Sequence, residues 1–587
     1  IAYYNQENRL LLEEQGWHGA LNLYARKFKP ILGGDYRLTV SFESQEEEKL
    51  FGMGQYQQEV MDLKYCSLEL AHRNSQASVP FLLSSRGYGF LWHNPAVGKV
   101  TFGKNVTQWE SYSTKQLDYW ITAGDTPAEI EEAYAEATGK VPMMPEYGLG
   151  FWQCKLRYWN QEQVLNVARE YKKRNIPLDV IVIDFFHWPR MGDFRFDEKF
   201  FPDPEAMNKE LEAMGVKLMV SVWPQIDLRS ENFEEMKERN LLVKPEMGVN
   251  ISMTFGGDSL FFDATNPEAR KFVWEKCKKN YYDHGIRIFW LDEAEPEFGV
   301  YDFENYRYHM GPNVQVGNIY PQMYSRTFYE GMEKQGQKNI VNLVRCAWAG
   351  SQRYGALVWS GDVHSTYEDL RKQICAGLHM GLAGIPWWTT DIGGFAGGNP
   401  KDERFRKLLV RWFEYGTFCP VMRLHGDRMP ASMLPGSDGL PNCHTGVENE
   451  VWSFGETVYK ILKKYISFRE CMRDYTREFM KEAHIKGSPV MRTMFYEFPD
   501  DEKAWDVKEQ YMYGSDLLIA PMVYEDAEWR KVYLPKGARW TDLHTGEIFE
   551  GGQEILTDAP LEKIPVFIRD GRHPEFIGKI LNMHDKP

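Results

Sequence analysis

The sequence has no Cys-x-x-Cys pair, no HExxH and no compact grouping of histidines and carboxylates, so neither a zinc site nor another metal centre is expected, and no cofactor. Its eight cysteines (Cys66, Cys154, Cys277, Cys346, Cys375, Cys419, Cys443, Cys471) are scattered and read as free thiols, which favours a reducing, cytoplasmic setting over a periplasmic or secreted one. No apolar run approaches the roughly 18 residues of a membrane span. A basic excess is missing too: 69 Lys and Arg face 84 Asp and Glu, a net charge of -15, which excludes attraction to nucleic acid or an anionic membrane. There is no internal repeat and no low-complexity stretch. The residues after Ile1 carry neither the charged start nor the apolar core of a signal peptide, and no initiator methionine, so no cellular address is read there.

What is present is aromatic: 14% of residues, including 19 Trp and 32 Tyr, flat rings of the kind that stack on sugar faces, although ordinary core packing uses them as well. At 587 residues the chain exceeds one hydrophobic core, which predicts a large domain with smaller ones beside it. Short alternating runs such as YRLTVSF and GYGFLWHN predict an N-terminal β-sandwich over 1–140. From 141 to 475, apolar runs of strand length alternate with amphipathic stretches of helix length, the pattern of a parallel sheet with crossovers. Eight such runs, YGLGFWQC, LDVIVID, KLMVSVWP, IRIFWLDE, NIVNLVRCA, ALVWSGD, GIPWWTTD and VMRLHG, predict a (β/α)8 TIM barrel. Antiparallel patterning returns over 476–587, a C-terminal β-sandwich domain.

Most of the eight runs end in Trp, Asp, Arg or His where the apolar strand gives way to a loop, and barrels of this type carry their chemistry at that end. Asp292 closes the fourth run and Asp362 the sixth, two acids facing one cavity. That is the minimum for glycoside hydrolysis, in which one carboxylate attacks the anomeric carbon and the other protonates the departing oxygen. Any single strand-end Asp is more readily explained as a loop cap or salt-bridge partner; the recurrence around one barrel points to function. Asp184, Trp223, Arg345, Asp391 and His425 stand at other strand ends, a ring of acceptors and donors suited to neutral hydroxyls.

The motifs GMGQYQ, SSRGYGFLWHN, IDFFHW, FPDP, WLDEAEPE, WSGD, WWTTDIGGF, RLHG, YGSDLLIAP and IPVFIRDG, in this order and nearly end to end, resemble glycoside hydrolase family 31. The resemblance implies that Asp292 is the nucleophile and Asp362 the acid/base. It also implies that Asp184, Arg345, Asp391 and His425 hold hydroxyls of the sugar, with Trp223, Trp290, Trp359, Trp387 and Phe395 as walls; barrel packing is the plainer account of each tryptophan. Glu295 and Glu297 read as braces for the nucleophile loop. Where the family's α-glucosidases have a small or aliphatic residue after the second-strand Asp, this chain has Phe185, which would fill the space of a hexose hydroxymethyl and turns the expectation towards α-xyloside, with α-glucoside close behind.

The expectation is therefore a retaining exo-acting α-glycosidase whose partner is an oligosaccharide or α-glycoside, with self-association into a homo-oligomer left open. The alternatives are an α-galactosidase or other α-hexosidase, a transglycosylase or lyase on the same scaffold, or a carbohydrate-binding protein without catalysis.

Overall fold

In the computed structural model the described residues are all but 17–19, 21, 22, 248–257, 299–302, 431, 434–443, 446 and 583–587. Cys443 lies outside them; the other seven cysteines are unpaired thiols.

The eight apolar runs form one sheet of parallel strands: β1 (Phe151–Cys154), β2 (Val180–Ile183), β3 (Lys217–Val222), β4 (Ile288–Leu291), β5 (Asn342–Val344), β6 (Ala356–Trp359), β7 (Trp388–Thr389) and β8 (Met422–Leu424). Their order is β7-β6-β5-β4-β3-β2-β1-β8, so β8 returns to pair with β1. The last seam, between β7 and β8, is closed by the Val421 amide donating to the Trp388 carbonyl at 3.1 Å and by parallel bridges from Ile392 to Leu424 and, past the strand ends, from Ala396 to Asp427. Every residue of β1, β2, β4, β5, β6, β7 and β8 is buried, as expected of strands covered on both faces.

Capping residues fix where the outer helices begin. Asn160 accepts from the Gln163 amide at 2.9 Å to open Gln161–Lys173, and Asn266 accepts from Glu268 at 3.0 Å to open Pro267–Asn280. One crossover departs from the regular pattern: β5 and β6 are joined by a single 3₁₀ turn, Ser351–Tyr354, instead of an α-helix. Gly350 and Gly355 on either side adopt left-handed backbone, which stops the turn from extending.

The N-terminal region is a sandwich. A five-stranded sheet (Arg26–Pro30, Tyr36–Glu43, Val106–Thr114, Gly98–Phe102, Ser67–Leu70) faces a four-stranded one (Trp120–Ala123, Tyr88–Leu91, Ala77–Ser84, Leu50–Gln55). Leu38, Val40, Val100 and Trp109 from the first meet Leu50, Leu82 and Phe90 from the second. The alternate residues Phe51, Val79, Phe81 and Leu83 of the smaller sheet join the barrel's core instead, so its strands Leu50–Gln55, Ala77–Ser84 and Tyr88–Leu91 are buried on both faces.

After β8, helices Glu456–Cys471 and Arg473–Lys486 cross the base of the barrel; residue 475, the expected start of the third domain less one, sits inside the second helix. The C-terminal region is a six-stranded sheet with a two-stranded ladder, Trp529–Leu534 against Gln553–Asp558. Arg469 joins these parts: it donates to the carbonyls of Leu149, Thr417, Cys419 and Pro420 at 2.7 to 2.8 Å and to the Tyr513 hydroxyl at 3.0 Å.

Candidate active site

Because side chains alternate along a strand, residues two apart on one strand enter the same side of the barrel wall. Trp290 and Asp292 do so at the top of β4, and Arg423 and His425 at the top of β8. Trp290 packs edge-on to Trp359 of β6 (5.3 Å) and to His425 (5.2 Å), while the Arg423 guanidinium lies 4.6 Å over the Trp290 ring. These rings and Arg423 form a floor beneath the loops.

Above it stand the two acids. Asp292 follows β4, and its Oδ1 accepts from the Glu293 amide at 2.8 Å. Asp362 follows β6, with about a third of its side chain exposed (34%) against 9% for Asp292. One nitrogen of Arg345, at the end of β5, is 3.5 Å from Asp292 Oδ1 and 3.4 Å from Asp362 Oδ2, so those two oxygens cannot be more than about 7 Å apart. Arg345 is fully buried and reaches further: 2.6 Å to Glu295, 3.2 Å to Glu293, and a direct hydrogen bond to Glu297. Oxygens of these three glutamates lie within 4.8 Å of one another, a spacing that could hold a cation; the guanidinium already supplies the positive charge among them.

The remaining strand-end residues converge on the same place. Asp184, after β2, accepts from the Phe185 amide at 2.7 Å and lies 3.5 Å from His425 Nε2. Phe185 stacks on Phe186 (4.0 Å) and Trp223 (4.4 Å), so the ends of β2 and β3 make an aromatic wall completed by Trp188 and Met191. Asp391, after β7, accepts from Arg423. Phe395 is 5.4 Å from the His425 ring, at the mouth. Trp387 is fully buried four residues before Asp391, which at about 3.3 Å per residue places it deeper in the barrel and in the packing.

Burial governs the electrostatics. It pushes the Asp292 carboxyl up to about 7, against the pull of Arg345 and with help from Asp362; Asp391 rises to about 6 for the same first reason, opposed by Arg423. Asp184 is raised well above the usual carboxylate range by burial and then by Asp292. Asp362 is raised by its enclosing walls, with Arg345 and an Asn74 hydrogen bond drawing it back. His425 is held neutral by burial and by Arg423 and Arg428, so its contact with Asp184 is not an ion pair. The second oxygen of Asp391, both ring nitrogens of His425, Nε and one terminal nitrogen of Arg423, and the indole nitrogens of Trp290 and Trp359 make no hydrogen bond within the protein. Each such buried group costs about 1 to 3 kcal/mol if left unpaired, so their concentration around one hollow marks a place for a ligand rich in hydroxyls.

Arg423 and Asn74 are among the site residues not singled out from sequence. Arg423 was legible in principle, since it stands two before His425 on the same strand. Asn74 gave no signal: it comes from the sandwich, in the loop between Ser67–Leu70 and Ala77–Ser84, and donates to Asp362 Oδ2 at 2.7 Å.

Paired carboxylates, hydroxyl partners and flat rings gathered at the C-terminal mouth of an eight-stranded parallel barrel define a glycosidase of the TIM-barrel class. The chain belongs to glycosyl hydrolase family 31, whose TIM-barrel domain matches residues 141–477 and whose C-terminal domain matches 487–572. It is 58% identical over 448 residues, 73% of this chain and 84% of the relative, to the "uncharacterized family 31 glucosidase ORF2" of Pseudescherichia vulneris. To the α-xylosidase of Saccharolobus solfataricus it is 34% identical over 566 residues, 93% of this chain and 73% of that one. Among solved structures, a family 31 α-xylosidase from a soil metagenome, complexed with xylose, superposes with a TM-score of 0.96 at 56% identity, covering 98% of this chain and 88% of the other. The xylosidase from Aspergillus niger superposes with a TM-score of 0.91 at 30% identity, covering 99% and 86%. No helix among the described residues is long and apolar enough to cross a membrane.

Proposed function

We propose that the chain is a retaining exo-α-glycosidase that removes an α-linked xylose from a non-reducing end, with Asp292 as nucleophile and Asp362 as acid and then base. The observation that carries this is the shared nitrogen of Arg345, which bounds one oxygen of each carboxylate, Asp292 Oδ1 and Asp362 Oδ2, at under about 7 Å. Retaining enzymes hold the pair roughly 5 to 5.5 Å apart, so that one carboxylate touches the anomeric carbon directly. The two acids also differ in position: Asp292 is the more enclosed, over the aromatic floor, and Asp362 the more open, where a leaving group departs.

In the first step a carboxylate oxygen of Asp292 attacks the anomeric carbon as the bond to the aglycone oxygen breaks, and that oxygen takes the proton of Asp362. In the second, Asp362 removes a proton from water, the water oxygen attacks the anomeric carbon, and the ester to Asp292 is released. Asp184, Asp391, Arg423 and His425 hold the hydroxyls, the last three using the buried atoms that lack partners within the protein. Arg345 stays between both acids throughout and offsets their charge whichever one is ionised.

Xylose is favoured over glucose by Phe185, whose ring leans on Trp223 at the sugar end of the cleft, and by the naming of the soil-metagenome and Saccharolobus relatives as α-xylosidases. The test is covalent trapping with a fluorinated α-xylosyl substrate: mass spectrometry should find the label on Asp292, and Asp292→Ala should not label. Labelling of the variant at the wild-type rate would overturn the assignment.

A further inference from the structure

We propose that Asn74 of the sandwich domain is a positioning residue for the acid/base, fixing which oxygen of Asp362 carries the proton. This rests on the reading of Asp362 given above. The Asn74 amide is oriented by its surroundings: its Oδ1 accepts from the Ser75 hydroxyl at 3.0 Å and from the Asp362 backbone amide at 3.2 Å, which turns Nδ2 towards Asp362 Oδ2 (2.7 Å) and Glu297 (3.2 Å). The flipped amide would set a carbonyl oxygen against two carboxylates and lose both acceptor bonds.

The loop that carries Asn74 is itself anchored to the strand it serves. Gln57 donates to the carbonyls of Ser75 (2.8 Å) and Ser360 (3.3 Å), and Gln55 to that of Trp359 (3.2 Å), so the GMGQYQ segment clamps the sandwich onto the WSGD turn. Gly361 sits so close that a Cβ there would come within 2.5 Å of the Ser75 Cα, in a left-handed conformation (φ +74°) that also suits glycine.

The consequence is chemical. Among the described residues both side-chain donors near Asp362, Asn74 Nδ2 and the Arg345 nitrogen at 3.4 Å, point at Oδ2. A protonated Asp362 therefore bears its hydrogen on Oδ1, the oxygen left to face the departing group, and after the first step the same two donors hold the carboxylate as base. Arg345 from the end of β5, Arg423 from β8, Asp292 and Glu297 from the loop after β4, Asp184 from β2 and Asp391 from β7 all bear on its titration. Asn74 adds a donor that favours the ionised form, so its loss leaves the proton bound to higher pH.

The experiment compares the full chain with Asn74→Ala, Asn74→Asp and Asp362→Ala on two aryl α-xylosides, one with a good leaving group and one with a poor one. General acid catalysis is worth about 10² to 10⁴-fold, and Asn74→Ala should lose roughly tenfold or more of kcat/KM on the poor leaving group while nearly sparing the good one. The alkaline limb of its pH profile should move upward, and further upward for Asn74→Asp, which adds a like charge. Thermal melts matching the parent separate this from damage to the fold. Equal losses on both substrates with an unmoved alkaline limb, while Asp362→Ala keeps its leaving-group dependence, would overturn the role of Asn74 alone; absence of that dependence in Asp362→Ala would overturn the acid/base reading and this proposal with it.

Discussion

At the scale of single residues, specificity and stability rest on groups a few ångströms apart. Phe185 lies 4.4 Å from Trp223, and on the proposed xyloside specificity replacing it by Ile removes ring area that excludes a hydroxymethyl. Phe185→Ile should raise the α-glucoside to α-xyloside ratio of kcat/KM by about 10-fold, the scale on which a pocket discriminates one carbon; an unchanged ratio would remove Phe185 from the specificity argument. Asp292 makes a separate claim. Its carboxyl stands near 7 in the folded chain against about 3.9 when unfolded, so its ionised form costs stability that is absent below roughly pH 4 and fully felt above pH 7. Asp292→Asn should therefore melt higher than the parent at pH 8 and match it near pH 4. A difference that grows towards acid pH would contradict burial as the dominant cause.

At the scale of elements, the eight strands could be read from apolar runs, but their lengths could not. The run GIPWWTTD forms ladder pairs only at Trp388–Thr389, and NIVNLVRCA only at Asn342–Val344. In both runs apolar residues precede the paired ones, Ile385 to Trp387 in the first and Ile340 and Val341 in the second, so apolar character begins before pairing does, while Asp391 and Arg345 follow it towards the mouth. The 3₁₀ crossover between β5 and β6 was hidden because a glycine-flanked turn carries no helical periodicity to contradict the general rule. The strand-end acids were visible because a carboxylate closing a buried apolar strand is conspicuous. Asn74 was invisible because its partner is 288 positions away and its loop has an ordinary turn composition.

At the scale of the molecule, the barrel and the C-terminal sheet share one hydrophobic core, and Arg469 ties the barrel's base to that sheet. Arg469→Met would leave four buried carbonyls without their donor, at a cost of at least about 3 kcal/mol. It should lower the melting temperature of barrel and C-terminal region together in one transition. A parent-like melt, or two separated transitions, would show that this side chain does not couple them.

The sandwich is tied in twice, by its smaller sheet, which joins the same core, and by the loop that touches Asp362. On the reading proposed here, the strand ends of the barrel decide which sugar is taken, while a separate fold borders the side from which the remainder leaves. Selection acting on that outer loop would alter how readily the remainder is protonated as it departs without redrawing the hollow that grips the released unit, so turnover and sugar preference are free to evolve apart.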